Sequence, residues 1–172
     1  MKKYIIILVS LINYNVLAQV AIGKTQVDGN NTLLDFAVDN NTKGLIVPAV
    51  INTNIVKRGT TNENGIFVFD KLDARVKVFE NNTWKNLSEP GVSTDIINYS
   101  SRSDKGTGGV IIGAETSTAE GVLILESPNM AMILPKVFKP EKNVGNPYPG
   151  MICYDTSSHK LAVYNGVEWT YW

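Results

Sequence analysis

The sequence predicts an all-β protein made of two copies of one module, each with short antiparallel strands that end in a three-stranded meander. Residues 65–87 align without a gap on residues 150–172, and repeats of this size indicate architecture rather than catalysis. Short apolar runs alternate with Asn, Asp, Gly, Pro and Thr, as is typical of strands and turns. The chain has no helical apolar period after residue 18, so no helix is expected beyond a signal peptide.

The amino terminus has the features of a secretory signal peptide. Lys2 and Lys3 form a positive n-region, residues 4–17 are mostly apolar, and Ala18 is a small residue suited to the cleavage site. An uncleaved membrane anchor is the alternative, but the run is short for a bilayer and contains two asparagines. We therefore expect a mature protein that begins at Gln19, has no later membrane span and is exported to the cell surface or the extracellular space.

The charge balance disfavours two classes of partner. The chain has 16 basic and 16 acidic residues, and the signal peptide removes two lysines, so the mature net charge is −2. The mature sequence has neither a basic stripe nor a block of like charge. Nucleic acid and anionic membranes are therefore not expected as partners.

The domain organisation follows from the repeat. Residues 1–18 form the signal peptide and residues 19–87 form module one. The polar stretch 88–108 is predicted to be a linker, and residues 109–172 form module two.

Three predicted strands make up the front half of each module. They are Val20–Gly23, Thr32–Phe36 and Gly44–Pro48 in module one, and Val110–Gly113, Gly121–Leu125 and Met132–Pro135 in module two. Leu34-Asp35 aligns with Leu125-Glu126, and Ile46-Val47-Pro48 aligns with Ile133-Leu134-Pro135. Pro48 and Pro135 should end the third strands, because proline cannot donate to a ladder.

Turn residues divide the back half of each module into three strands. In module two, residues 155–158 follow the first strand and Asn165-Gly166 follows the second. Asn-Gly favours a type I′ turn, in which both central residues have positive φ, and Asn81-Asn82 takes this place in module one.

The first strand of each meander predicts assembly. Residues 66–69 and 151–154 are apolar on both faces, so each strand needs cover on both faces. A small module with no internal disulfide gains that cover most readily from another subunit. We therefore expect a homo-oligomer, with a trimer as the first expectation.

Cys153 is the only cysteine and His159 the only histidine. Cys153 takes the place of Val68 in the repeat, which favours a small buried side chain over a reactive or intermolecular thiol. His159 lies in a predicted turn where module one has Ala74, which disfavours a Cys153–His159 catalytic dyad. A histidine-based metal cluster is excluded, and no catalytic residue, cofactor or metal ligand is assigned.

Asp70 and Asp155 are retained after the same strand in both modules. One interpretation is a calcium site assisted by Asp73 or Ser157, but calcium takes six or more oxygens and these loops have few carboxylates. The other interpretation, an Asx turn that closes the hairpin, is favoured.

Aromatic residues are concentrated in the last meander. Trp169 has a counterpart in Trp84, which favours packing in the core or at a subunit contact for both tryptophans. Tyr164, Tyr171 and Trp172 are the candidates for contact with a partner protein or a glycan. Tyr171 and Trp172 are the stronger of these, because module one has Asn86 and Leu87 in their places.

Three motifs carry a resemblance to known proteins. They are Lys43-Gly44-Leu45-Ile46-Val47-Pro48, Gly150-Met151-Ile152-Cys153-Tyr154-Asp155, and Leu161-Ala162-Val163-Tyr164-Asn165-Gly166-Val167-Glu168-Trp169. This pattern resembles a recurring module of short exported surface proteins of Bacteroidota, and similar hairpin modules occur in phage tail-fibre-like proteins. The resemblance covers nearly all of the mature chain. It implies a secreted or surface-exposed protein and brings no catalytic residues.

These observations favour a non-enzymatic exported protein with a structural or adhesive role that associates with itself. The alternative is a carbohydrate-binding module that uses exposed aromatic residues. An enzyme ranks third, because neither a nucleophile–base pair nor paired carboxylates emerge from the comparison of the two modules.

Overall fold

The computed structural model describes residues 19–56, 64–97, 109–119 and 121–172, and the predicted signal peptide lies outside them. Module one contains β1 (Val20–Ile22), β2 (Thr32–Phe36), β3 (Leu45–Ile46), β4 (Ala49–Val50), β5 (Ile66–Asp70), β6 (Arg75–Glu80) and β7 (Thr83–Asn86). Module two contains β8 (Val110–Ile112), β9 (Leu123–Leu125), β10 (Ala131–Met132), β11 (Lys136–Val137), β12 (Met151–Asp155), β13 (Lys160–Tyr164) and β14 (Trp169–Tyr171).

The all-β prediction is confirmed, and both modules end in an antiparallel three-stranded meander. These meanders are β5-β6-β7 and β12-β13-β14. Two short helical turns, a 3-10 turn over Thr53–Ile55 and a one-turn helix α1 over Pro140–Asn143, were not predicted. Both lie in the connection between the fourth and fifth strands of a module, so they too follow the repeat.

The front strands other than β3 pair in parallel, whereas antiparallel strands were predicted. β1 pairs with β2 and β8 with β9, while β4 and β11 run parallel to β5 and β12. Gly23 and Gly113 follow β1 and β8 with φ of 74° and 98°, a conformation that glycine adopts without strain. The apolar pattern decides which face of a strand is buried but not the direction of its neighbour, so the sequence left this open.

The ladders beside the meanders reproduce the repeat in detail. Ala49 lies opposite Phe69 in module one, and Lys136 lies opposite Tyr154 in module two. Pro48 and Pro135 lie between the third and fourth strands, and their carbonyl oxygens accept from the N–H groups of Phe69 and Tyr154 at 2.8 and 2.9 Å. Each proline therefore takes part in the strand ladder only through its carbonyl oxygen, because it has no N–H to donate.

The front ladders correct one detail of the sequence alignment. Val20 lies opposite Leu34, but Val110 lies opposite Leu123, so Leu123 rather than Leu125 is the counterpart of Leu34. A shift of two residues keeps each side chain on the same face of the strand, which is why the pattern concealed it.

The predicted type I′ turn at Asn165-Gly166 is wrong, whereas Asn81-Asn82 has the two positive φ angles that such a turn requires. Both residues of Asn81-Asn82 have positive φ, 48° and 59°. Residues 165–168 form a longer loop in which Gly166, but not Asn165, has positive φ. The Asn165 side chain instead accepts from the N–H groups of Val167 and Glu168 at 2.9 and 2.8 Å, and this local bonding closes the loop.

One strand of each module pairs with a strand of the other module. β3 of module one adds antiparallel to the start of β12, and β10 of module two adds parallel to β2. The facing sides of the two meanders form a shared core with two residues from outside them, Val47 and Ile96. The meander residues of this core are Phe69, Val76, Leu87, Ile152 and Val163. Within the predicted linker, residues 88–97 are described and place Ile96 in this core, while residues 98–108 lie outside the described residues.

Candidate functional site

Asp155 is a buried hydrogen-bond centre at the end of β12. Its Oδ1 accepts from the N–H groups of Ser157 and Lys139 at 2.8 and 3.0 Å, and its Oδ2 accepts from the N–H and hydroxyl of Ser158 at 3.1 and 2.6 Å. Burial alone would raise the pKa of the Asp155 carboxyl, but these donors outweigh it and hold the pKa below its ordinary value. The side chain thus closes the hairpin and also ties down the loop after β11.

Asp70 repeats this arrangement at the end of β5. Its Oδ1 accepts from the Leu72 N–H at 3.0 Å, and its Oδ2 accepts from the N–H and hydroxyl of Thr53 at 3.1 and 2.9 Å. Thr53 lies just after β4, and Lys139 lies just after the equivalent strand β11. In each module the carboxylate therefore links the loop after the fourth strand to the hairpin turn after the fifth strand. Burial would raise the pKa of Asp70, but the hydrogen bonds, with that of Lys77 the strongest, keep the pKa low.

Lys77 distinguishes the two carboxylate sites. Its Nζ lies 2.8 Å from Asp70 Oδ2 and 2.7 Å from Asp73 Oδ2, and Asp70 and Lys77 are both buried. Burial alone would lower the pKa of Lys77, but its hydrogen bonds to the two carboxylates raise the pKa above its ordinary value. Module two has Ala162 in the place of Lys77, and the Ser158 hydroxyl supplies the missing donor there.

These contacts favour the Asx-turn interpretation of Asp70 and Asp155 over a calcium site, because protein donors already occupy their oxygens. Within the described ranges, no group of three or more His, Cys, Asp or Glu side chains is arranged to hold a metal ion.

Asp35 is a third buried carboxylate, and it was not among the residues whose role was predicted from the sequence. Its Oδ2 accepts from the Lys24 ammonium at 2.6 Å and from the Asp28 N–H at 2.8 Å. Burial would raise the pKa of Asp35, but Lys24 and the N–H groups of Asp28 and Phe36 lower it overall. The available signal was an acidic residue inside an otherwise apolar strand, which is seldom buried without a partner.

Cys153 is fully buried, as its place in the repeat predicted. It packs in a second cluster behind module two with Val137, Val144, Met151 and Ala162. Burial, with a smaller contribution from Asp155, raises the pKa of the thiol to about 12, so the reactive thiolate is suppressed at neutral pH.

His159 lies in the predicted turn, away from the thiol. It is exposed, and its Nδ1 lies 3.4 Å from the Tyr154 hydroxyl. Successive side chains of β12 point to opposite faces, so Tyr154 and Cys153 are on different sides of the sheet. This placement supports no Cys153–His159 dyad.

Equivalent aromatic pairs pack across the second and third strands of the two meanders. The rings of Phe79 and Trp84 lie 5.2 Å apart between centroids in module one, and those of Tyr164 and Trp169 lie 5.2 Å apart in module two. Trp84 and Trp169 are both half-buried. The matching distances indicate a shared packing role for the two pairs.

The candidate contact residues are divided between two faces of the last meander. Tyr164, Trp169 and Tyr171 pack against the cluster around Cys153, and the Tyr171 hydroxyl donates to Glu141 at 2.9 Å. Burial and the Glu141 carboxylate raise the pKa of Tyr171. Trp172 follows Tyr171 along the strand and therefore points to the other face.

Trp172 is the most exposed of the three candidates. Its side chain is 59% exposed, and its indole Nε1 donates to the Leu87 carbonyl oxygen of module one at 2.7 Å. The structure therefore brings Tyr164 and Tyr171 together but separates Trp172 from them. The three rings therefore do not form a single platform.

Comparison of the chain with protein-family models, with curated proteins and with solved structures finds no match. In the part of the chain that the structure describes, no helix has the length and apolar character needed to span a bilayer.

Proposed function

We propose that the mature protein is a non-enzymatic, exported protein with a structural or adhesive role at the cell surface or in the extracellular space, and that it associates with itself. A homotrimer is the first size to test. The proposal does not require a cofactor, a nucleic acid or a membrane span after processing.

The use of the polar side chains supports a structural role. The three buried carboxylates, Asp35, Asp70 and Asp155, hold loops to strands through hydrogen bonds. The thiol of Cys153 is buried with a raised pKa, and His159 is in an exposed turn. Asp35, Asp70 and Asp155 therefore have a loop-holding role and Cys153 has a packing role.

The observation that carries the proposal is uncovered apolar surface at strand edges. β8 and β9 form a two-stranded parallel sheet within the described residues, although parallel sheets are ordinarily covered on both faces. Val110 and Leu123 are 61% and 43% exposed there, and Ile46 of β3 is 48% exposed. Such edges and patches are typical of surfaces that another chain covers.

Sedimentation velocity and light scattering of the mature protein over a wide concentration range test self-association. We expect a species larger than the monomer that dissociates on dilution. A monomer at every concentration would refute the proposed self-association. Amino-terminal sequencing of exported material tests processing, with Gln19 as the expected first residue and retained Met1 as the contrary result.

Carbohydrate binding is the second candidate function, and the exposure of Trp172 favours it. The hydrogen bond to Leu87 fixes the ring in place, so an exposed aromatic surface is already ordered for stacking. A glycan array probed with the wild-type protein and with Trp172→Ala tests this. Binding that is lost in the variant would support it, whereas the absence of any glycan signal would oppose it.

A further inference from the structure

The contact between the two modules has three parts. β3 pairs with β12, and β10 pairs with β2. Between these strand pairs, Phe69 and Val76 of module one share a core with Ile152 and Val163 of module two. Each module contributes its third strand, but module one adds β2 and module two adds β12, and the two meanders contribute different halves of their faces, so the contact joins two unlike surfaces of one repeated unit.

β3 and β10 occupy the same place in the repeat, yet each is paired along a different edge. The Val47 N–H, just after β3, donates to Gly150 at 3.0 Å, so the alternation of amides directs the Ile46 N–H away from β12. In module two the counterpart of Ile46 is Ile133, and its N–H donates to Leu34 at 2.9 Å. Among the residues that the structure describes, each strand therefore leaves unpaired the edge that its counterpart uses.

The strands that would complete these edges are also open within the described residues. β9 has β8 as its strand partner there, whereas its counterpart β2 is flanked by both β1 and β10. The first half of β5 pairs with β6, whereas the first half of its counterpart β12 pairs with both β13 and β3.

The burial of the meander faces shows the same asymmetry. Phe69 and Val76 are fully buried, but their counterparts in module two, Tyr154 and Leu161, are half-buried. Ile152 and Val163 are buried, but their counterparts in module one, Phe67 and Val78, are half-buried. One half of each meander face is therefore fully covered inside the chain, whereas the other half is covered only in part, with Phe67, Val78 and Leu161 packed against the shared core.

We infer that a second copy of this chain docks head to tail by repeating the contact between the modules. The module-two end consists of the edge of β9, the free edge of β10, Tyr154 and Leu161. The module-one end consists of the free edge of β3, the first half of β5, Phe67 and Val78. The inference rests on the proposed self-association and states which surfaces form it.

The repeat also sets the register of the new strand pairs. Met132 lies opposite Leu34 within the chain, so Leu45 of one copy lies opposite Leu123 of the next. Ile46 lies opposite Met151 within the chain, so Ile133 of one copy lies opposite Ile66 of the next. Two unlike surfaces form either a closed ring or an open filament, and a ring of three copies agrees with the expected trimer.

Two lysine substitutions block one end each. Ile46→Lys places a charge on the module-one end, and Leu123→Lys places a charge on the module-two end. Both side chains are partly exposed to solvent in the single chain, so a lysine fits there without disturbing the fold of one copy. We expect each to weaken association by more than about tenfold. Leu72→Lys is the matched control, because Leu72 is 75% exposed and lies outside both ends. It should associate like the wild type.

A mixing experiment tests the head-to-tail geometry. Ile46→Lys keeps an intact module-two end and Leu123→Lys an intact module-one end, so an equimolar mixture should form a heterodimer although neither variant associates alone. Sedimentation velocity measures all of these species.

The outcomes separate this inference from the self-association on which it rests. A wild-type protein that stays monomeric would overturn both. A wild-type protein that associates while Ile46→Lys and Leu123→Lys do so equally well would overturn the head-to-tail surfaces and leave self-association standing. Loss of association in both variants without a heterodimer on mixing would overturn the head-to-tail geometry.

Discussion

The indole of Trp172 donates to the carbonyl oxygen of Leu87, and these two residues occupy the same position in the two copies of the repeat. Each also continues its own meander, because the Leu87 N–H donates to Val76 and the Trp172 N–H to Leu161. The repeated position thus serves both as a strand end and as a bond between the modules.

Removing the indole N–H of Trp172 should weaken the contact between the two modules, because this group donates to the Leu87 carbonyl oxygen. Trp172→Phe keeps a large ring but leaves the Leu87 oxygen without that partner, so we expect the free energy of unfolding to fall by about 1 kcal/mol. Urea denaturation measures it. Val167→Ala, at a 61% exposed site in the same meander, is the control and should change stability by less than about 0.5 kcal/mol. Equal losses in the two variants would contradict the role of this bond.

Lys77→Ala should destabilise the protein by about 3 kcal/mol, because it leaves the buried Asp70 carboxylate without its cation. The repeat supplies a rescue. Module two has Ala162 and Ser158 in the places of Lys77 and Asp73, so the double variant Lys77→Ala/Asp73→Ser should recover part of the loss. Thermal or urea unfolding compares the two. A double variant no more stable than the single one would show that the two sites are not interchangeable.

Acid should destabilise the protein through Asp70 and Asp155. Their pKa values are lower in the folded chain than the value of about 3.9 expected when unfolded. Their contribution to stability is therefore present above about pH 4 and is lost as the pH falls through the folded-state pKa. The free energy of unfolding between about pH 2 and 6 should fall less steeply in Asp155→Asn than in the wild type. An unchanged slope would contradict the buried-carboxylate account.

Cys153 should be inert in the native protein. Its thiol is buried and has a pKa of about 12, so labelling at neutral pH should require unfolding. Cys153→Val should change the free energy of unfolding by less than about 1.5 kcal/mol. Ser157→Cys in the Cys153→Val background places a thiol at an exposed site of the neighbouring turn and should label at once. Rapid labelling of native Cys153 would be the contrary result.

Several local features were predictable from the sequence. The meanders, the burial of Cys153 and the turn role of Asp70 and Asp155 followed from alternation, turn residues and the comparison of two copies. These features depend on residues close together in the chain, so one stretch of sequence contains most of the information. The bond between Tyr171 and Glu141 had no such signal, because its partner lies in another segment.

The sequence alone determined that the chain contains two copies of one module, because residues 65–87 align with residues 150–172. It also determined that the back half of each module is a meander, because period-two alternation and turn residues act locally. Only the tertiary structure decided which edge of each repeated strand is used. β3 and β10 have the same place in the repeat, but β3 pairs with β12 and β10 with β2. A strand has two hydrogen-bonding edges, and the choice between them depends on which distant segment the folded chain brings beside it.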